Sequence, residues 1–218
     1  MTVRRPPERL AVDGPAGTIE VVIDHPSVFP SEGADEPARG LGLVAHPHPL
    51  FGGTLDNKVA QTLARIFADL GYIAVRPNFR GVGASEGTHD HGVGETDDLL
   101  AVIEWAQGRF GPLPVALAGF SFGAYVQTRV AARVPVERMV LVGMPNGLVT
   151  GGRTYLPGTV PEDTIVIHGE LDETAPLANV LEWARPQELP IVLVPGADHF
   201  FHKRLHLLRK IVKGQWRA

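Results

Sequence analysis

The 218 residues include no cysteine. That excludes disulfide staples, thiolate metal sites, iron–sulfur clusters and a cysteine nucleophile. Positive charge is not in excess either. Twenty Lys and Arg stand against 24 Asp and Glu, a formal net charge of −4, which argues against a nucleic-acid or anionic-membrane partner. No apolar run approaches the ~20 residues of a membrane span, and no apolar segment follows the opening Met1-Thr2-Val3-Arg4-Arg5-Pro6-Pro7. There is no internal repeat and no low-complexity tract. What is present is 44% hydrophobic residues, enough for one packed core. The expectation is a cytoplasmic protein with one domain over 1–218.

Periodicity gives the class. Gly40–His46, Tyr72–Val75, Val115–Ala118, Met139–Val142, Thr164–Ile167 and Ile191–Val194 are short apolar runs with little alternation, the pattern of strands buried on both faces. Between them lie helical spacings. Val59, Leu63, Ile66, Phe67 and Leu70 end at Gly71. Leu99, Val102, Ile103, Ala106 and Phe110 follow a start at Thr96 or Asp97. Residues 122–134 and 177–184 form two more helices. Phe201, Leu205, Leu208 and Val212 line a last one. This is α/β architecture, a mostly parallel twisted sheet with helices on both faces. Residues 1–39 stand apart. Glu8–Asp13 and Thr18–Asp24 flank Gly14-Pro15-Ala16-Gly17 and predict an antiparallel hairpin at one edge, and 25–39 reads as loop. Residues 145–162, with four glycines and three prolines, also read as loop, too short for a cap domain. Asp56-Asn57-Lys58 suits the cap of the first helix.

Ligands in such folds meet the carboxyl ends of the strands. Gly119-Phe120-Ser121-Phe122-Gly123 sits there, between a strand and a helix. A strand that turns sharply into a helix exposes its middle residue at the tip, and flanking glycines let the neighbouring elements close in. The Ser121 hydroxyl then projects into the crevice. The Phe122 N–H points into the same space from a helix N-terminus, where negative charge is stabilised. Three further segments also follow strands: His46-Pro47-His48-Pro49-Leu50-Phe51-Gly52-Gly53, His168-Gly169-Glu170-Leu171-Asp172-Glu173-Thr174-Ala175-Pro176 and Gly196-Ala197-Asp198-His199. A fifth is Pro77-Asn78-Phe79-Arg80-Gly81-Val82-Gly83-Ala84-Ser85-Glu86-Gly87. Its glycines are misspaced for a dinucleotide site, so a structural turn is expected.

Together these segments resemble the α/β-hydrolase superfamily from Gly40 to the C-terminus, and within it the small, lidless, dienelactone-hydrolase-like esterases. The resemblance implies Ser121 as nucleophile, Asp172 as acid and His199 as base, in the superfamily's chain order. Glu170 and Glu173 are neighbouring competitors for the acid. The His46–Gly53 loop would supply a second oxyanion N–H beside that of Phe122. Pro47 and Pro49 have none, which leaves His48, Leu50 and Phe51, and the dienelactone-hydrolase-like enzymes use the residue just before Phe-Gly, here Leu50. Asn78 stands where the family often has Asp. No cofactor and no metal are expected. His46-x-His48, His89-x-His91 and the His202/His206 pair lack a third ligand or a His-Glu-x-x-His segment. The substrate would be a small-molecule ester with a short acyl group. Thioesters, lactones and amides suit the same machinery, and a non-catalytic small-molecule-binding protein on this fold is the alternative. The chain would be a monomer or homodimer.

Overall fold

A computed structural model of the chain describes residues 5–26 and 38–216. Ten strands and five α-helices follow one another in it. They are β1 Glu8–Gly14, β2 Gly17–Asp24, β3 Gly40–Ala45, α1 Lys58–Asp69, β4 Tyr72–Pro77, α2 Val93–Phe110, β5 Val115–Phe120, α3 Phe122–Ala131, β6 Arg138–Val142, β7 Gly147–Val149, β8 Arg153–Tyr155, β9 Ile165–Gly169, α4 Leu177–Ala184, β10 Ile191–Val194 and α5 Leu205–Gln215. Eight strands form one sheet in the order β1-β2-β4-β3-β5-β6-β9-β10. The six from β4 to β10 pair in parallel, while β1 with β2 and β2 with β4 are antiparallel. The expected edge hairpin is therefore present, and β2 carries it onto the parallel sheet. Most of the 25–39 loop lies outside the described residues.

Alternation along each strand divides the apolar side chains between two cores. Leu41, Leu43, Val115 and Leu117 face α2, α3 and α4, packing with Leu99, Val126 and Trp183. Val44, Ala116, Ala118 and Phe120 face α1 and α5, packing with Leu63, Phe67 and Leu208. This two-sided burial is why the strands read as continuous apolar runs. No helix among the described residues is long and apolar enough to cross a membrane.

Several boundaries differ from the sequence reading, each for a local reason. Helix α2 starts at Val93, not at Thr96 or Asp97. Buried Glu95 accepts the N–H groups of Asp90 (2.9 Å) and Gly92 (2.8 Å) and so closes the helix start a turn earlier. Helix α3 ends at Ala131, short of 134. Phe201 lies before α5 with φ of +54°, although its side chain is fully buried in the core that the helix completes. Residues 145–162 are not all loop, since β7 and β8 pair as a small antiparallel hairpin of their own. Asn57 caps α1 as expected, its Oδ1 accepting from Val59 and Ala60.

The Pro77–Gly87 turn is structural. Arg80 forks onto Asp98 of α2 (2.7 and 2.8 Å) and reaches the Gly94 carbonyl. Asn78 accepts the Leu55 N–H and donates to Glu20 Oε2, both at 2.7 Å. An aspartate could not make that donation and would oppose Glu20, which accounts for the amide here.

Candidate active site

In this sheet the chain passes from β3 outward to β4 and then returns across β3 to β5. The carboxyl ends of β3 and β5 therefore flank the topological switch point, where such folds open a crevice. Ser121 stands there with φ of +53° and ψ of −123°. A non-glycine residue held in that region is strained by roughly 1–3 kcal/mol. The fold holds it by the Ser121 N–H bond to the Val142 carbonyl (2.9 Å) and by the first turn of α3. A Cβ at Gly119 would strike the backbone of Gly123 and Ala124, and one at Gly123 would strike the carbonyls of Ala45 and His46. The glycines thus let α3 fold back onto β5 and bring the loop after β3 against the elbow.

The other two strand-end residues converge on the serine. His199, in the loop after β10, places Nε2 3.0 Å from Ser121 Oγ. Its Nδ1 lies 2.7 Å from Asp172 Oδ2. Asp172 turns its other oxygen to the N–H groups of Thr174 (3.0 Å) and Ala175 (2.8 Å). The carboxylate is thereby oriented by its own loop, and both it and the imidazole are buried. The competitors go elsewhere. Glu170 accepts the Gly196 N–H at 2.7 Å, and Glu173 is exposed.

The family model of X-Pro dipeptidyl-peptidase (S15 family) matches residues 21–147. The chain belongs to this family of α/β hydrolases. A lidless α/β serine hydrolase from Xanthomonas campestris superposes with a TM-score of 0.84 at 34% identity, over 99% of this chain and 95% of that one. An α/β serine hydrolase homologue from Coxiella burnetii gives 0.82 at 38% identity, over 95% and 96%. Lysophosphatidylserine lipase ABHD12 of Danio rerio is 28% identical over 163 residues, 72% of this chain but 35% of that protein. This chain therefore spans about a third of that relative.

The hydrolase site opens into two adjoining cavities. One, of about 340 Å³, contains Ser121 and His199 together with Gly52, Asn57, Thr150 and Phe200. The second, of about 370 Å³, is walled by Leu50, His89, Phe122, Tyr125 and Tyr155. His48, Phe51 and Arg153 line both. A larger depression of about 520 Å³, lined by Arg9, Asp24, Asp56 and Arg76, holds no nucleophile. Several of its charges are paired with one another, as Arg76 is to Asp24 at 2.8 Å and Arg9 to Asp56 at 3.1 Å.

Of the three N–H groups in the loop after β3, the structure engages two. Leu50, expected to be the second oxyanion donor, lies in a 3₁₀ turn over Pro49–Phe51, and its N–H donates to His48 Nδ1 at 3.3 Å. Its side chain is 69% exposed and lines the second cavity rather than that of Ser121. The Phe51 N–H bonds the His48 carbonyl at 3.1 Å. Among the described residues, the His48 N–H meets no acceptor. The His48 ring lies 4.8 Å from that of Phe122, and His48 lines the cavity that contains Ser121.

The histidines that suggested a metal do other things. His46 is fully buried, with Nδ1 at 2.6 Å from the Pro47 carbonyl and Nε2 accepting the Phe79 N–H at 2.9 Å. One donor and one acceptor define the neutral Nδ1–H tautomer, and burial pushes its pKa down to about 3. His202 and His206 are on the surface. His46 also sets a pH dependence. The unfolded chain protonates it near 6.5 while the native state does not until about 3, so only the unfolded state gains a proton between these values. Stability is complete above pH 6.5 and falls as pH drops toward 3, by about 1.4 kcal/mol per unit for each such histidine. Urea melts at pH 7, 5.5 and 4.5 are expected to show falling midpoints. A nitrogen-detected titration is expected to keep His46 neutral throughout, and a His46 signal that titrates near 6.5 would contradict this assignment.

Arg153 and the β7–β8 hairpin were missed by the sequence reading. The signal was Gly151-Gly152, both at positive φ in the hairpin turn, a dipeptide of the kind that marks tight connections.

Proposed function

We propose that the protein is a carboxylesterase that cleaves esters of small or short-chain acyl groups through an acyl-enzyme on Ser121. The observation that carries this reading is the unbroken hydrogen-bond chain from Ser121 Oγ through His199 to Asp172, set at a strained elbow. His199 takes the hydroxyl proton as Ser121 attacks the acyl carbon. Asp172 holds the Nδ1–H tautomer and stabilises the imidazolium. His199 then protonates the leaving alcohol, and water repeats the cycle. The oxyanion is held by the N–H of Phe122 and, of the three loop candidates, that of His48, because Leu50 and Phe51 have theirs engaged. Each such donor is worth ~10²–10³ in rate. Short acyl groups are supported by the modest cavities and by the lack of a cap domain among the described residues, where the β7–β8 hairpin stands between β6 and β9.

A p-nitrophenyl ester series from C2 to C12 tests this reading. The expected optimum lies at the short end, and a fluorophosphonate is expected to label the protein at Ser121 alone, read by peptide mass spectrometry. Neither turnover nor labelling would overturn it in favour of a binding protein on this fold. The family description favours a second reading, hydrolysis of an amide after proline. An alanyl-prolyl p-nitroanilide in the same assay separates the two, with kcat/KM expected to favour the ester.

A further inference from the structure

Arg153 stands at the partition between the two cavities, in contact with both. Its guanidinium lies over the Phe51 ring, 4.2 Å from the centroid. Its polar contacts are all neutral: the Thr150 carbonyl at 3.0 Å and the Tyr155 hydroxyl at 3.4 Å. Nε is buried without an acceptor, and among the described residues no carboxylate pairs with this group. A guanidinium has five N–H donors and cannot shed its charge. Two clamping arginines elsewhere are neutralised, Arg80 by Asp98 and Arg76 by Asp24. A cation that is partly desolvated and left without a counter-charge is costly unless something supplies the anion.

The position is held rigidly. Asn146 and Asn179 exchange side-chain bonds with each other's carbonyls, Asn179 also reaches the Leu148 carbonyl, and Thr150 bonds the Glu173 and Thr174 carbonyls. The hairpin is thereby tied to α4 and to the loop that carries Asp172. We infer that Arg153 is a specificity residue: the substrate is an ester bearing a second, anionic group, a carboxylate a few bonds from the scissile carbonyl, which Arg153 holds while the acyl carbon meets Ser121. This rests on the esterase reading above and adds the substrate's charge to it.

The test compares p-nitrophenyl hemiglutarate with its neutral methyl ester, which share the scissile p-nitrophenyl ester and differ at the terminal carboxyl, charged in one and methyl-capped in the other. For the wild type, kcat/KM is expected to favour the acid by roughly 10- to 100-fold, the range of a charge-assisted hydrogen bond, mostly through KM. In Arg153→Gln that ratio is expected to fall to about one, and Arg153→Lys is expected to keep part of it. Unchanged thermal midpoints would show that both variants fold. A wild type that does not discriminate, or discrimination that survives Arg153→Gln, overturns the proposal. If neither ester turns over and Ser121 takes no fluorophosphonate, the esterase reading has failed instead. Calorimetric binding of glutarate then decides Arg153 alone: binding lost in Arg153→Gln supports it, and no binding to wild type overturns it.

Discussion

Ser121→Ala is expected to lower ester turnover by roughly 10⁴- to 10⁶-fold while KM changes little. The variant removes one oxygen and leaves the rest of the site in place. His199 remains bonded to Asp172, the N–H groups at the start of α3 still face the crevice, and alanine accepts the same positive φ at a similar strain. What survives is the contribution of oxyanion binding and substrate positioning, which is why the loss is large yet finite. The decisive comparison is single-preparation kinetics of wild type and variant, with fluorophosphonate titration to count active sites and exclude contamination. A variant that keeps a tenth of the activity would mean that another group attacks the substrate.

Asp172→Asn is expected to cost about 10³–10⁴-fold in kcat with the fold intact. The reason lies in which oxygen meets what. Oδ1 accepts two backbone N–H groups, from Thr174 and Ala175. An asparagine would keep its carbonyl oxygen there and turn its amide nitrogen toward His199 Nδ1. That nitrogen donates, so the ring would have to present a lone pair at Nδ1 and carry its proton on Nε2, facing Ser121. The base would then hold the wrong tautomer. The expected signature is a kcat defect that raising the pH does not rescue. A loss of less than about tenfold would show that Asp172 is dispensable for orienting the base.

Sequence and structure agree best where one physical signal acts alone. The apolar strand runs were legible because burial on both faces leaves no polar alternation, and α4 emerged at Leu177–Ala184 as its spacing predicts. The convergence of Ser121, Asp172 and His199 on one hydrogen-bonded chain was legible because each sits just beyond a strand, where chain order and motif coincide. The remainder depended on contacts between distant segments. The early start of α2 comes from Glu95 reaching back to Asp90 and Gly92. Phe201 belongs to the core without belonging to the helix, since a left-handed residue turns the chain there. Leu50 is diverted by a side chain two residues away, a local bond that a motif cannot reveal. Strands of three residues, as in β7 and β8, are too short to show periodicity.

The β7–β8 hairpin shares no strand pairing with the main sheet, whereas Ser121, Asp172 and His199 all follow strands of that sheet. On the reading proposed above, bond-breaking sits on the main sheet and substrate selection on a hairpin joined to it by a few discrete hydrogen bonds. Side chains of residues 147–155 other than Thr150 could be exchanged or recharged with little disturbance to the elbow, because the hairpin is fastened by a few discrete bonds, among them those of Thr150 to the Asp172 loop, rather than by a ladder. Such a segment is a natural site of divergence among relatives and a practical one for directed evolution, where libraries confined to it would sample new acyl or alcohol preferences while the chemistry is inherited unchanged.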